Sequence, residues 1–147
     1  MPLVSGYELA GSFRESNPDA VTGSDAHQIW IQPTTVVQSL RHLQRSESYA
    51  FDYLSAITAV DYIEYFELIY HLRSMARNQT GVVKTRLYDR ESPSVGSVTG
   101  LWRGAELQER EIWDLMGIRF DGHPNLKRVM LWEGFPGHPL RKDHMGG

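Results

Sequence analysis

The side chains able to do chemistry concentrate in the last third of the chain. Glu109, Arg110, Glu111 and Asp114 set three carboxylates around one guanidinium. A carboxylate so placed could serve as a general acid or base. On a helix, however, Glu111 and Asp114 share a face at i,i+3, Glu109 lies off it, and Arg110 can pair with Glu106 or Asp114. That pattern reads better as a solvated or interfacial ion-pair network. Further on, Gly122-His123-Pro124 and Gly137-His138-Pro139 repeat one motif, and His144 follows Asp143. With Asp121 these histidines are zinc ligands by type. Their separations of 15 and 6 residues match no short ligand pattern, and the flanking glycines give no rigid frame. The competing reading makes each Gly-His-Pro a turn whose imidazole bonds backbone, with proline fixing the extended direction beyond it. Trp113, Trp132 and Phe135 could stack on a base or a quinone, but such residues more often anchor a core or an interface.

The elements that must hold these groups follow from periodicity. Leu101, Ala105, Ile112 and Leu115 recur at helical spacing, Glu106 and Arg110 form a favourable i,i+4 pair, and Gly117 suits the residue after a helix. Ser97 offers an N-cap, while Gly104 moves the firm start toward Ala105. Beyond Gly117 no period survives. Gly122, Pro124, Gly134, Pro136, Gly137 and Pro139 interrupt a stretch that still keeps Leu126, Val129, Met130, Leu131, Trp132, Phe135 and Leu140. A long apolar tail of this kind buries little against itself, so it is expected to lie on something else. The reading is an α+β domain over residues 1–117 and an extended partner-docking tail over 118–147.

Upstream, Tyr7, Leu9 and Phe13 suit a short helix ending before Asn17-Pro18, and Gly23-Ser24-Asp25 reads as a turn. Ile29-Trp30-Ile31 is a short strand. Gln32-Pro33 opens a helix with Val36, Val37, Leu40 and Leu43 on its buried face. Residues 51–60 are apolar and β-branched enough for a strand. Residues 65–73 alternate, with Phe66, Leu68, Tyr70 and Leu72 on one face, and Val83, Thr85 and Leu87 alternate in the next strand, so these two form an antiparallel hairpin. Residues 91–96 read as a loop. The fold class is α+β: helices packed on a mostly antiparallel sheet, then the irregular tail.

Composition narrows the function. A chain of 147 residues is one domain with room for a core. It contains no cysteine, so it builds no disulfide, thiolate zinc site or Cys-ligated iron–sulfur cluster. Neither G-x-G-x-x-G after a strand nor G-x-x-x-x-G-K-[ST] occurs, so no nucleotide fingerprint is present. The net charge of −3 argues against nucleic acid, although Tyr65 and Tyr88 suggest an RNA-binding sheet; Glu64 and Glu67 stand against that reading. No run of about 18 apolar residues spans a bilayer. Acidic residues near the start fit neither a signal nor a transit peptide, which gives the expectation of a cytoplasmic setting.

The segment from Glu109 also resembles a family. The string E-R-E-x-W-D-L-x-G-I-x-F-x-G-H-P-x-L-x-R, with G-x-P-L-R-K-D from Gly137 to Asp143, is similar to the signature of the C-type peripheral-arm subunit of NADH-quinone oxidoreductase, respiratory complex I. Leu54 to Tyr62 and Phe66 to Leu72 resemble the family's L-x-x-x-T-x-V-D-Y and F-x-x-x-Y-x-L segments. Leu107 and Met116 stand where the family often has aromatics, and both keep an apolar side chain. The resemblance implies a non-catalytic peripheral-arm subunit of a proton-translocating NADH:quinone oxidoreductase, inactive alone and carrying no cofactor, with FMN and iron–sulfur clusters in partner subunits. It implies packing on the large (D-type) quinone-site subunit and on the small (B-type) cluster-bearing subunit, on the cytoplasmic side of a bacterial or archaeal inner membrane. Glu109, Arg110, Glu111, Asp114, Gly117, His123, Pro124, Arg128, Trp132, Leu140 and Arg141 would supply the partner interface and the anchoring of the tail. Two other readings remain: the equivalent subunit of a ferredoxin-, F420H2- or plastoquinone-linked complex or of a membrane-bound hydrogenase, and a free-standing metallohydrolase using the tail histidines.

Overall fold

A computed structural model of the chain describes residues 1–126 and 137–143. Arg128, Trp132, Phe135 and His144 lie outside the described residues. Three strands run as an antiparallel meander: β3 (Tyr53–Asp61), β4 (Phe66–Ser74) and β5 (Gln79–Leu87). Strand β2 (Ile29–Ile31) joins β5 in parallel through Ile29↔Val83, and β1 (Val21–Ser24) pairs antiparallel with β2. The sheet order is therefore β1-β2-β5-β4-β3. The expected alternation holds: Phe66, Leu68, Tyr70 and Leu72 of β4 are buried with Val83, Thr85 and Leu87 of β5. Because strand side chains alternate, Glu67, Ile69, His71, Lys84 and Arg86 occupy the opposite face.

Three helices complete the core. Helix α1 (Gly6–Gly11) is capped by the Ser5 hydroxyl and buries Leu9, while Phe13 follows it into the interior. Pro33 starts a 3-10 turn that leads into α2 (Val36–Arg45), which buries Val36, Leu40 and Leu43. Helix α3 (Ala105–Met116) buries the stripe Ala105, Glu109, Ile112 and Met116, and packs against β3. All the apolar residues among these belong to one core cluster with the inner face of the sheet. The α+β architecture thus matches the sequence reading.

Three local expectations are corrected. Gly23-Ser24 is not a turn but the end of β1, which bulges against β2 between Val21 and Gly23. Residues 91–96 are not wholly loop: β6 (Ser94–Gly96) pairs in parallel with β7 (Arg119–Asp121) through Val95↔Phe120. Ser97 does not cap α3, whose N-cap position is Gly104 with no side-chain cap; its hydroxyl is engaged by Glu109 instead.

Candidate functional site

Helix α3 ends at Gly117, whose φ of +76° and N–H bond to the Trp113 carbonyl make a left-handed cap. The reversal sends Ile118 and Phe120 into the core. It also lays β7 beside β6, secured by Arg119 N–H to Pro93 O (2.8 Å) and Ser97 N–H to Asp121 O (2.8 Å). This places residues 97–98 opposite the inner stripe of α3. There the Ser97 hydroxyl donates to Glu109 Oε1 at 2.6 Å and the Val98 N–H to Oε2 at 2.9 Å. Glu109 is fully buried. Burial raises the pKa of its carboxyl, and the Ser97 and Val98 bonds pull the other way. The nearby Tyr70 hydroxyl is buried without a hydrogen-bond partner, and its pKa is pushed far up by burial and then by the charge of Glu109. Glu109 is thus an internal tie between α3 and the β6 turn, not a member of a surface ion-pair network.

The other α3 charges also depart from the pairing read from sequence. No ion pair joins Arg110 to Glu106 or Asp114 among the described residues, and Arg110 Nε is buried without a hydrogen-bond partner. Asp114 is fully buried on the side of α3 away from the Glu109 stripe, where residues 137–140 pack. His138 Nδ1 meets the Asp114 carbonyl at 2.8 Å, its ring lies 4.9 Å from that of Trp113, and Leu140 N–H donates to the Leu115 carbonyl. Glu111 and Leu140 line a shallow groove with Ile57, Thr58 and Leu115. His123 Nε2 meets the Glu106 carbonyl at 2.9 Å while its Nδ1 accepts from Asn125 N–H. Pro124 is exposed beside it. Both Gly-His-Pro motifs thus bond backbone, as the turn reading expects. Among the described residues no group of three His, Cys, Asp or Glu side chains could hold a metal.

Sequence reasoning missed the hub that fastens residues 141–143. Buried Asp61, at the end of β3, accepts Arg90 Nη1 at 2.7 Å and Nη2 at 3.0 Å. It also accepts the backbone N–H of Ile63 and of Lys142, each at 2.8 Å. The Arg90 hydrogen bonds hold the Asp61 carboxyl far below the usual carboxylate range. Arg141 donates to the Arg90 carbonyl and to Asp143, whose carboxyl pKa Arg141 lowers. Both guanidinium groups lie over the Phe66 ring, at 4.5 and 5.0 Å. The only signal in the sequence is the V-D-Y string itself, where a charge closes an apolar strand.

The geometry is that of a strap tied back over the end of a helix. The family model described as "Respiratory-chain NADH dehydrogenase, 30 Kd subunit" matches residues 29–147. The chain belongs to this family. Relatives of the 30 kDa subunit include the second C-type subunit of NADH-quinone oxidoreductase from Rhizobium meliloti, 44% identical over 92% of this chain and 75% of that protein. The C-type subunit of Moorella thermoacetica is 50% identical over 66% of each chain. The mitochondrial NADH dehydrogenase [ubiquinone] iron-sulfur protein 3 of Candida albicans is 38% identical over 81% of this chain and 43% of its own. Among solved structures, a chain of the membrane-bound sulfane sulfur reductase, an archaeal respiratory membrane complex, superposes with a TM-score of 0.70 at 30% identity. That match covers 94% of this chain and 84% of the other. Membership makes the chain a subunit of a multi-subunit respiratory oxidoreductase, with other subunits as its partners. Among the described residues no helix is long and apolar enough to cross a membrane.

Proposed function

We propose that this 30 kDa-family subunit is a non-catalytic scaffold in the peripheral arm of a proton-translocating NADH:quinone oxidoreductase. Electrons pass from NADH through FMN and iron–sulfur clusters held by other subunits to quinone, and the isolated chain turns over nothing. The α3 end and the strap dock on the large quinone-site subunit and on the small cluster-bearing subunit, at the cytoplasmic face of the membrane. The observation that supports a scaffold best is the use of its polar groups. Glu109 bonds Ser97 and Val98, and His123 and His138 bond backbone carbonyls of α3. These groups hold α3 and the strap in shape and leave Glu111 and Leu140 on the groove that a partner would meet; Arg110 is assigned to that interface by resemblance. Arg128 and Trp132 are assigned to the same interface by resemblance alone.

A second reading draws on the sulfane sulfur reductase likeness: the equivalent subunit of a related complex with a different electron donor, such as ferredoxin or F420H2, or of a membrane-bound hydrogenase. Deletion and add-back decides the first reading. Membranes lacking the chain should lose NADH-driven quinone reduction and regain it with the chain restored, while the purified chain alone shows none. Retained activity in the deletion strain would refute it.

A further inference from the structure

We propose a second docking surface, built on the turn between β3 and β4 and the adjoining end of β5. It receives a carboxylate flanked by apolar side chains on a neighbouring subunit of the same complex. The proposal rests on the subunit reading above but uses none of the strap residues.

The turn is closed by Tyr62 N–H to Tyr65 O at 2.9 Å. Inside it Ile63 has φ +75°, held there by its N–H bond to Asp61 Oδ1. A β-branched residue at positive φ is strained, and asparagine or glycine would relax the turn. The strained residue is also one of the most exposed apolar side chains of the described chain, at 64%. Beside it the rings of Tyr62, Tyr65 and Tyr88 run in sequence, with centroids 5.3 Å apart at each step, and Tyr88 is 66% exposed. A contiguous apolar shelf facing water is the kind of surface a partner covers.

An arginine is fixed across this shelf. The Arg86 guanidinium lies 4.7 Å from the Tyr65 ring centroid and 5.5 Å from that of Trp30. Its Nε donates to Glu67 at 3.0 Å, and Glu67 also takes the Trp30 indole N–H at 3.1 Å. The Glu67 side chain is 4% exposed, while Arg86 remains 40% exposed. Glu67 shares one negative charge between two cations, Lys84 and Arg86, so a positive edge remains at Arg86 itself, although the exposed Glu64 of the turn and Asp89 beside Tyr88 make the surroundings acidic. The Nη pair, beside the Tyr88 hydroxyl, offers the planar edge that a carboxylate binds in bidentate fashion. An immobilised arginine among tyrosines and a tryptophan is also the composition of an interface hot spot, with the ordering cost met before binding. One cationic edge at Arg86 suits a single carboxylate, and with Glu64 and Asp89 close by in the sequence it falls short of the cation run that a nucleic acid needs.

The test places a photo-crosslinking phenylalanine at position 88 in the tagged chain within the assembled complex, and a second probe at position 140 in the strap. The expected result is an adduct from position 88 to another subunit, on a peptide containing Asp or Glu. No subunit adduct from position 88, or an adduct to nucleic acid, overturns the proposal. A position-140 adduct in that same complex leaves the subunit reading intact. If no subunit copurifies at all, both fall. In addition, Ile63→Asn should leave the isolated chain at least as stable, yet weaken its association with the complex about tenfold. Tyr88→Asp should do the same, and normal assembly of both variants overturns the proposal.

Discussion

Asp61→Asn should loosen the strap and the domain together. The carboxylate accepts four hydrogen bonds, two from Arg90 and one each from the Ile63 and Lys142 backbone. Asparagine keeps one acceptor oxygen and presents an amide where a second acceptor stood. Removing one member of a buried ion pair costs roughly 3–5 kcal/mol. Here the Asp61 side chain is 2% exposed but Arg90 is 23% exposed and keeps Asp143, so partial solvent screening brings the cost below that range, to about 2–3 kcal/mol. For a chain of this length that is about 5–10 °C in Tm. The assays are thermal unfolding by circular dichroism and amide exchange at Lys142 and Leu140. The Arg90 bonds hold the Asp61 pKa below its unfolded value, so this stability is fully present above about pH 4 and is lost as the pH falls further. The difference between wild type and variant should therefore be full at pH 7 and narrow in acid. A Tm within about 2 °C of wild type with unchanged Lys142 protection would refute the hub.

Glu109→Gln keeps the side chain's shape but cannot ionise. Because burial raises the Glu109 pKa, the wild type is favoured at low pH and loses ground as the pH rises through the folded-state value. As the pH rises from about 4, just below the ordinary glutamate value, the urea midpoint should thus fall more for wild type than for the variant, and parallel curves would contradict this. Gly117→Ala puts a Cβ at φ +76°, 2.7 Å from His138 Cδ2, and should cost at least about 1–2 kcal/mol and expose the Leu140 amide to exchange. Gly104→Ala, with nothing within 4 Å, should be close to neutral by the same measurements. Arg110→Ala should lower the yield of assembled complex more than the turnover of what assembles; normal abundance with lost turnover would assign Arg110 a direct role in the chemistry.

Much of the fold is legible in the sequence because long elements carry strong periods. Phe66, Leu68, Tyr70 and Leu72 alternate through nearly all of β4, and α2 shows its stripe from Val36 to Leu43. What escapes is short and non-local. Three residues, as in β6 and β7, hold no period, and their partners lie 25 positions apart in sequence, as in Val95↔Phe120. Residue type alone misjudges Glu109. Its position falls on the same helical stripe as Ala105, Ile112 and Met116, so spacing places it inward, and the donors of residues 97–98 make that burial tolerable. The two Gly-His-Pro motifs are readable as backbone-bonding turns because the glycine and proline leave the imidazole beside carbonyls. Asp61 stands out in the sequence only within the V-D-Y string, since its partners, Arg90 and Lys142, come from distant segments. The Arg86 shelf escapes for the same reason, being assembled across β2, β4 and β5.

We propose above that the strap of this subunit docks on the quinone-site and cluster-bearing subunits. Affinity purification of the tagged full chain from gently solubilised membranes, with the copurifying chains identified by mass spectrometry, decides whether it does. Both of those subunits should copurify with the chain in equal amounts. Recovery of the chain without them, from membranes in which the complex is intact, would contradict it.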